Sequence, residues 1–135
     1  MSPKILVVDD DPALTQLLRL LLSFEGWNVL AATSGVEALE IADLHLPELI
    51  LLDIMMPNMD GFEVCTRLRA DPRFRQTAIL AFTAMSEKAG EARAYEVGFD
   101  DFIPKMIMPD QLIERMKRFL QVDPAEVKQS VAAQL

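Results

Sequence analysis

The sequence predicts an α/β fold: a single domain with a doubly wound, five-stranded parallel sheet and helices on both faces. Short apolar runs alternate five times with segments of helical period. The runs are mainly apolar and do not alternate with polar residues, which is typical of strands buried on both faces. A chain of 135 residues is long enough to bury a core without a disulfide or a structural metal.

A β-branched run followed by a helix start indicates the first strand and helix. Residues 4–8 are apolar after Lys4 and precede three aspartates. Asp11 is expected to cap a helix, because Pro12 suits the first helical position. Gly26 is expected to end this helix. Its predicted core-facing stripe consists of Leu14, Leu17, Leu18, Leu21 and Leu22.

A helix with a capping box separates the second and third strands. Residues 28–32 form the second strand, and Ser34 with Glu37 opens a helix that runs to about Leu46. Pro47 stops that helix. Residues 49–52 form the third strand, which Asp53 closes.

The second half of the sequence repeats this pattern. The turn-rich segment MMPNMDG leads into a helix at about 62–70, and Thr83 closes a fourth strand at 78–82. A helix around 87–97 ends at Gly98, and a fifth strand at 101–103 precedes Pro104 and Lys105. The last amphipathic helix presents Leu112, Ile113, Met116, Phe119 and Leu120.

The end of the sequence predicts a short tail. We expect one domain over residues 1–122 and a C-terminal tail over residues 123–135, which has too few large apolar residues to build a second domain. The tail is expected to be a short helical extension or frayed. No second folded module is expected from this sequence.

Composition limits the compartment and the partners. There are 13 basic and 21 acidic residues, a net charge of −8, which argues against direct binding to nucleic acid or to anionic lipid. Cys65 is alone and cannot form an internal disulfide, and the N-terminus does not resemble a signal peptide. No apolar run is long enough to span a membrane. These features predict a cytoplasmic protein.

Chemically active side chains follow the predicted strands. Asp9 and Asp10 follow the first strand, Asp53 the third, Thr83 the fourth and Lys105 the fifth. Because ligands of open parallel sheets bind beyond the carboxyl ends of the strands, we expect these groups to converge.

Clustered carboxylates indicate a divalent cation. Carboxylates brought together repel one another unless a cation neutralises them, and oxygen ligands with no His or thiol nearby suit Mg²⁺. Since Mg²⁺ prefers to share its shell with phosphate, the pattern indicates phosphoryl chemistry. The carboxylate of Asp53 is then the expected nucleophile, becoming an aspartyl phosphate.

In this combination the sequence resembles a receiver domain of two-component response regulators, of the stand-alone chemotaxis kind. The resemblance covers about residues 3–121 and implies the strand order 2-1-3-4-5. The matching features, in chain order, are Asp9 and Asp10, Asp53 within LLDIMMPNMDG, Thr83 within FTA, and Phe102 and Lys105 within DDFIPK.

The resemblance implies a role for each matching residue. Asp10 would be the more direct Mg²⁺ ligand, with Asp9 supporting it and the Met55 backbone carbonyl completing the protein ligands. Lys105 and Thr83 would hold phosphoryl oxygens. On phosphorylation the Thr83 hydroxyl would move, and Phe102 would turn inward to change a protein-binding face formed by the fourth helix, fifth strand and fifth helix.

Two positions depart from the pattern of the family. Receivers usually have a proline after the lysine, in a cis peptide bond, whereas Met106 follows Lys105 here. A cis bond before a non-proline residue is costly, so we expect a trans bond and a different course of the loop. The switch aromatic is Phe102 instead of the common tyrosine, so packing alone must report its state.

Methionines cluster in the loops that should surround the site. These are Met55, Met56, Met59, Met85, Met106 and Met108. Several could simply fill gaps in the core, and for Met56 and Met106 this reading is as good as the functional one. We expect Met55 and Met85 to shield the acyl phosphate from water, which predicts slow self-dephosphorylation.

Other polar residues are read as structural. Asp11 and Asp60 suit a helix cap and a turn, and Asp100 with Asp101 is expected to lie in a solvated loop instead of a second metal site. His45, the only histidine, is expected at the surface near a helix end. The phosphoryl donor must therefore be another protein, a histidine kinase or a phosphotransfer protein.

Two other functions remain open at this level. A haloacid-dehalogenase-like phosphatase would use Asp9 and Asp11, but Ala13 stands where that family has Thr or Val, and the chain is short for that fold. A receiver-like binding module without phosphorylation is the other. The expected protein is a monomer or weak homodimer with a downstream protein target, and is not a conventional enzyme.

Overall fold

The apolar runs form five parallel strands in the order β2-β1-β3-β4-β5, as predicted. The computed structural model describes residues 2–120, so the predicted boundary at 122 and the tail at 123–135 lie outside the described residues. The strands are β1 Lys4–Val8, β2 Asn28–Ala32, β3 Leu49–Leu52, β4 Ala78–Thr83 and β5 Asp101–Pro104. The helices are α1 Pro12–Ser23, α2 Gly35–His45, α3 Gly61–Arg69, α4 Lys88–Val97 and α5 Pro109–Phe119, with a 3₁₀ turn at Pro72–Phe74.

Two apolar cores lie on opposite faces of the sheet. Successive residues of β1 alternate between them: Leu6 and Val8 join the core under α2, α3 and α4, while Ile5 and Val7 join the core under α1 and α5. All four side chains are essentially inaccessible to solvent. The continuous apolar runs are therefore explained by helices that cover both faces.

Side-chain caps fix the starts of three helices. Asp11 accepts a hydrogen bond from the Ala13 N–H, Ser34 from the Glu37 N–H and Asp60 from the Glu63 N–H. Each bond satisfies one of the backbone donors that a helix N-terminus leaves free. The predicted cap at Asp11 is therefore confirmed, whereas Asp60, predicted to lie in a turn, caps α3.

The buried face of α1 differs from the predicted leucine stripe. Leu18 and Leu22 are buried, but Leu17 is 53% exposed, and Thr15 is buried in its place with its hydroxyl donating to the Pro12 carbonyl. Leu17 borders an open groove of about 120 Å³ between α1 and α5. The predicted core-facing stripe of α1 therefore includes more residues than the core buries. Helical periodicity identifies the apolar face of a helix, but it does not show how much of that face a neighbouring helix covers.

The prediction of a solvated loop is right for Asp100, which is exposed in a bend, and wrong for Asp101, which begins β5 and is half-buried. Both carboxylates are nevertheless paired. Asp100 Oδ2 accepts hydrogen bonds from Arg69 and from the Ile79 N–H, each at 2.9 Å. Asp101 forms a bidentate ion pair with Arg115 of α5. These carboxylates hold β5 to its neighbours, so they serve packing, in agreement with the view that they are not a metal site.

Arg69 joins the segments around the start of β4. Its guanidinium donates to the carbonyls of Phe74, Thr77 and Gly98 at 2.7, 2.8 and 3.0 Å, in addition to Asp100. Its side chain is only 19% exposed.

Within residues 2–120, no helix has the length and apolarity that crossing a membrane requires.

Candidate functional site

The five residues that were predicted to converge at a site lie at the carboxyl ends of the strands. Asp9 and Asp10 follow β1, Asp53 follows β3, Thr83 is the last residue of β4, and Lys105 follows β5. Backbone bonds fix two of these ends against neighbouring strands: the Asp53 N–H donates to the Val8 carbonyl, and the Lys105 N–H donates to the Thr83 carbonyl. Parallel strands thus bring distant residues to one edge.

Lys105 forms the centre of this charge cluster. Its Nζ lies 2.7 Å from Asp9 Oδ2 and 3.0 Å from Asp53 Oδ2. Both carboxylate side chains are 2% exposed, whereas that of Lys105 is 26% exposed. The cluster therefore contains two buried negative charges that share one ammonium group.

Burial and ion pairing change the pKa values of Asp53 and Lys105. Burial raises the pKa of Asp53 above its ordinary value, and the nearby ammonium of Lys105 reduces this effect without cancelling it. Burial alone would lower the pKa of Lys105, but its close contacts with the carboxylates of Asp9 and Asp53 outweigh burial and raise it. Lys105 is therefore held as a cation beside the carboxylates.

The backbone around Asp53 requires a glycine at position 61. The Gly61 N–H donates to the Ile54 carbonyl at 2.8 Å, and the start of α3 packs directly on the strand end. A Cβ at position 61 would overlap the Asp53 carbonyl oxygen and lie 2.6 Å from the Ile54 Cα. Turn chemistry at Asp60 and Gly61 was predicted, but this close approach depends on tertiary packing and was not.

The acidic residues provide a donor set that fits a hard divalent cation. Asp9, Asp10 and Asp53 each offer a carboxylate oxygen, and these oxygens lie within 4.8 Å of one another. Asp9 Oδ2 is buried and makes no well-directed hydrogen bond, since its contact with Lys105 is an ion pair. Oxygen ligands that lack thiol or imidazole neighbours match the preference of Mg²⁺.

Thr83 and Phe102 occupy the positions predicted for the switch. Thr83 is fully buried, and its Oγ1 accepts a hydrogen bond from the Met85 N–H at 3.2 Å. Phe102 is half-buried and packs against the core beneath α2, α3 and α4. Their movement on phosphorylation stays a prediction.

The peptide bond between Lys105 and Met106 is trans, as predicted, like every other peptide bond within residues 2–120. The Met106 side chain is 94% exposed, whereas Lys105 still reaches both carboxylates. The absence of proline at position 106 therefore does not displace the ammonium from the cluster.

The methionines divide into three environments. Met56 is 8% exposed and fills the core, Met55, Met106 and Met108 are exposed, and Met59 and Met85 are half-buried. The gap-filling reading is thus right for Met56 and wrong for Met106. Sequence burial patterns are weak in loops, where no period exists to read.

A cleft of about 500 Å³ opens beside the residues that follow Asp53 in the chain. It is lined by Ile54, Met55, Met56, Asp60, Phe62, Met85 and Arg93. The Arg93 guanidinium lies 4.1 Å from the centroid of the Phe62 ring, a cation–π contact that covers one side of the cleft. Phe62 and Arg93 carry no signal in the sequence that marks them as neighbours, because no local pattern links residues on separate helices.

Asp11 and His45 lie apart from this cluster. Asp11 is exposed and engaged in capping α1, so it is not placed as the second acid that a dehalogenase-like phosphatase needs. His45 is exposed as the last residue of α2, as predicted.

Comparison with known proteins identifies the same architecture. The family described as "Response regulator receiver domain" matches residues 5–117. The chain is 39% identical to the response regulator MprA of Mycobacterium bovis over 133 residues, which is 98% of this chain and 57% of MprA. It is 34% identical to the DNA-binding dual master transcriptional regulator RpaA of Synechocystis over 88% of this chain and 49% of RpaA.

A solved structure agrees with the sequence comparisons. The chemotaxis protein CheY4 of Vibrio cholerae superposes with a TM-score of 0.84 at 28% identity, over 88% of this chain and 99% of that one.

The chain spans about half the length of the curated relatives it matches. These relatives carry more sequence than a receiver, so the expectation of a stand-alone regulator stays a prediction. Receiver domains are signalling domains, not conventional enzymes, and they use Mg²⁺ at an acidic pocket. By its family match, its strand order and its acidic strand-end cluster, the chain belongs to the receiver domains of two-component response regulators.

Proposed function

We propose that this domain accepts a phosphoryl group on Asp53 and changes its protein-binding face in response. The observation that carries the proposal is the cluster at the strand ends, where the Lys105 ammonium lies between the buried carboxylates of Asp9 and Asp53. A purely structural role would leave the cost of burying two carboxylates beside one cation unexplained.

The transfer follows from the chemistry of these residues. A carboxylate oxygen of Asp53 attacks phosphorus in a phosphohistidine, the P–N bond breaks, and the imidazole leaves with its bonding electron pair. The product is an acyl phosphate, and the imidazole nitrogen takes a proton from solvent. Lys105 then pairs with a phosphoryl oxygen, because that oxygen carries the charge that Asp53 loses.

Asp9, Asp10 and Asp53 would hold Mg²⁺, with the Met55 backbone carbonyl as a further ligand. When bound, this ion neutralises charge on the phosphoryl oxygens. Asp10 is exposed and Asp9 is buried, so Asp10 is the more accessible of the two ligands after β1. Asp9 also has its Oδ1 fixed by the Asp11 N–H at 2.9 Å, which orients its other oxygen toward the cluster.

The proposed response involves Thr83 and Phe102. The Thr83 hydroxyl has the Met85 N–H as its partner in this structure, and it would exchange this partner for a phosphoryl oxygen. Phe102 would then turn inward and change the surface of α4, β5 and α5. Only a few kcal/mol of difference between the two states is needed to shift their populations substantially.

The proposed partners are a histidine kinase or phosphotransfer protein as donor and a protein as downstream target. The only histidine of the chain is exposed on α2, at the opposite end of β3 from Asp53, so the donor is another molecule. The net charge of −8 supports protein contact over direct nucleic-acid contact for this domain. Cytoplasmic location and a monomer or weak homodimer remain predictions.

The experiment is intact-mass analysis after incubation with Mg²⁺ and acetyl phosphate. The native chain is expected to gain one phosphate, and EDTA or Asp53→Asn is expected to abolish the gain. If no adduct forms and calorimetry detects no Mg²⁺ binding, the proposal is wrong. That result would favour a receiver-like binding module that acts without phosphorylation, with Met106→Pro as the first variant to examine.

A further inference from the structure

We infer that Gly90 is a positioning residue that sets the width of the cleft beside Ile54 and Met55, the residues that follow Asp53, because it leaves room for the Met85 side chain. This inference rests on the proposed phosphoryl function and deepens it. It concerns access to the site, not the chemistry there. Gly90 lies in α4, seven residues after Thr83, and belongs to no feature used above.

The Met85 side chain packs where a side chain of residue 90 would otherwise lie. A Cβ at position 90 would overlap the Met85 Sδ and lie 3.1 Å from its Cγ. The three nearest heavy atoms all belong to Met85, so Gly90 leaves room for this side chain. Neither residue has positive φ, so backbone conformation does not explain the glycine.

Met85 is connected to the phosphoryl site at both its backbone and its side chain. Its N–H donates to the Thr83 hydroxyl at 3.2 Å, and its side chain lines the cleft together with Ile54 and Met55, which directly follow Asp53. The position of the Met85 side chain therefore affects the approach to Asp53. Its backbone bond to Thr83 restricts how far the loop can move as a unit.

A side chain at position 90 should move Met85 into the cleft. The cleft is the open volume next to Met85, about 500 Å³, whereas its other side is the surface of α4. Methionine has three flexible torsions, so its side chain can swing without unfolding the loop. The glycine is otherwise unfavourable within a helix, where alanine is the more stable residue.

The test compares the native chain with Gly90→Ala, Met85→Ala and the double variant. Gly90→Ala is expected to slow phosphorylation by acetyl phosphate roughly threefold or more, because Met85 narrows the approach. The smaller donor phosphoramidate should be affected less. In the Met85→Ala background, Gly90→Ala should change neither rate, since no side chain remains to be displaced. Glu91→Ala, exposed on the same helix, controls for helix propensity.

Two results are decisive: the effect depends on the size of the donor, and it disappears when Met85 is alanine. A general structural disturbance by Gly90→Ala would produce neither result. If Gly90→Ala leaves the rate unchanged or increases it, or slows both donors equally with and without Met85, the inference is overturned. If the native chain forms no adduct at all, the proposed function fails instead, so the two failures are distinguishable.

Discussion

The Lys105 ammonium lies 3.0 Å from Asp53 Oδ2, although the two residues are 52 positions apart and methionine follows the lysine. The strand order places β5 at the sheet edge, two strands from β3, and the long lysine side chain crosses the end of β4 to reach Asp53. The ion pair thus depends on topology and side-chain length, and the trans bond before Met106 is compatible with it.

Asp53→Asn is expected to stabilise the metal-free protein at neutral pH. Burial raises the pKa of Asp53, so the native state holds this proton more tightly than the unfolded chain, and ionisation costs native stability. The gain should be small below the ordinary pKa of 3.8, grow as pH rises through the raised pKa, and then stay level to neutral pH. Urea unfolding in EDTA measures it.

The control for that series is Asp110→Asn, an exposed carboxylate on α5. Its stability difference should not follow the same pH course. Loss of stability in Asp53→Asn at neutral pH would show that the Lys105 pair outweighs the burial of Asp53.

Lys105→Met is expected to strengthen Mg²⁺ binding while slowing phosphorylation. The ammonium contacts both buried carboxylates and competes with a cation for them, so its removal should tighten Mg²⁺ binding by about tenfold. Phosphorylation should slow because the group that would pair with the phosphoryl oxygens is absent. Titration calorimetry and intact mass measure the two effects.

Lys117→Met is the matched control. Lys117 forms a 2.9 Å ion pair with Glu25 and contacts none of the residues of the site. The variant should change neither property. Unchanged or weaker Mg²⁺ binding in Lys105→Met would contradict the view that this lysine and the metal share ligands.

Polar substitution of the cleft methionines is expected to shorten the lifetime of the acyl phosphate. Met55 and Met85 line the cleft beside Asp53, and asparagine at either position would admit and orient water there. We expect the decay rate to rise by roughly threefold or more for each variant, which corresponds to a barrier lower by about 0.7 kcal/mol. Mass analysis after removal of the donor follows the decay.

Met108→Asn serves as the control for these variants, because Met108 is 61% exposed and does not line the cleft. Decay rates equal to that of the native chain in both cleft variants would refute the shielding hypothesis.

Gly61→Ala is expected to reduce both stability and Mg²⁺ affinity. The added Cβ would overlap the Asp53 carbonyl oxygen, and the neighbouring backbone cannot move cheaply, so we expect a loss of roughly 1–3 kcal/mol. Gly26→Ala is the control: its φ of 81° makes alanine costly, yet no atom lies within 4 Å of the added Cβ. It should lower stability without affecting Mg²⁺ binding, and an equal effect on binding would disprove the local mechanism.

Much of the fold was predictable because each strand and helix carries its own local signal. The capping residues Asp11 and Ser34 and the αL glycine Gly98 fixed helix ends to within a residue or two. The carboxyl ends of parallel strands share one edge, so the convergence of Asp9, Asp53 and Lys105 followed from strand assignment.

The features that the sequence did not predict depend on contacts between separate helices and strands. Leu17 is exposed at the open groove between α1 and α5, and the partners of Asp100 and Asp101 come from α3, β4 and α5. The contact of Arg93 with Phe62 joins α4 to α3. None of these pairings leaves a periodic pattern in the sequence, so no local analysis could have found them.

The most direct test of the central claim identifies the residue that carries the phosphoryl group. Borohydride reduces an acyl phosphate to an alcohol, so a phosphorylated aspartate becomes homoserine, which tandem mass spectrometry locates. After incubation with acetyl phosphate and Mg²⁺, we predict homoserine at position 53 alone, and none with EDTA. Homoserine at Asp9 or Asp10, or at no aspartate of a chain that binds Mg²⁺, would contradict the account.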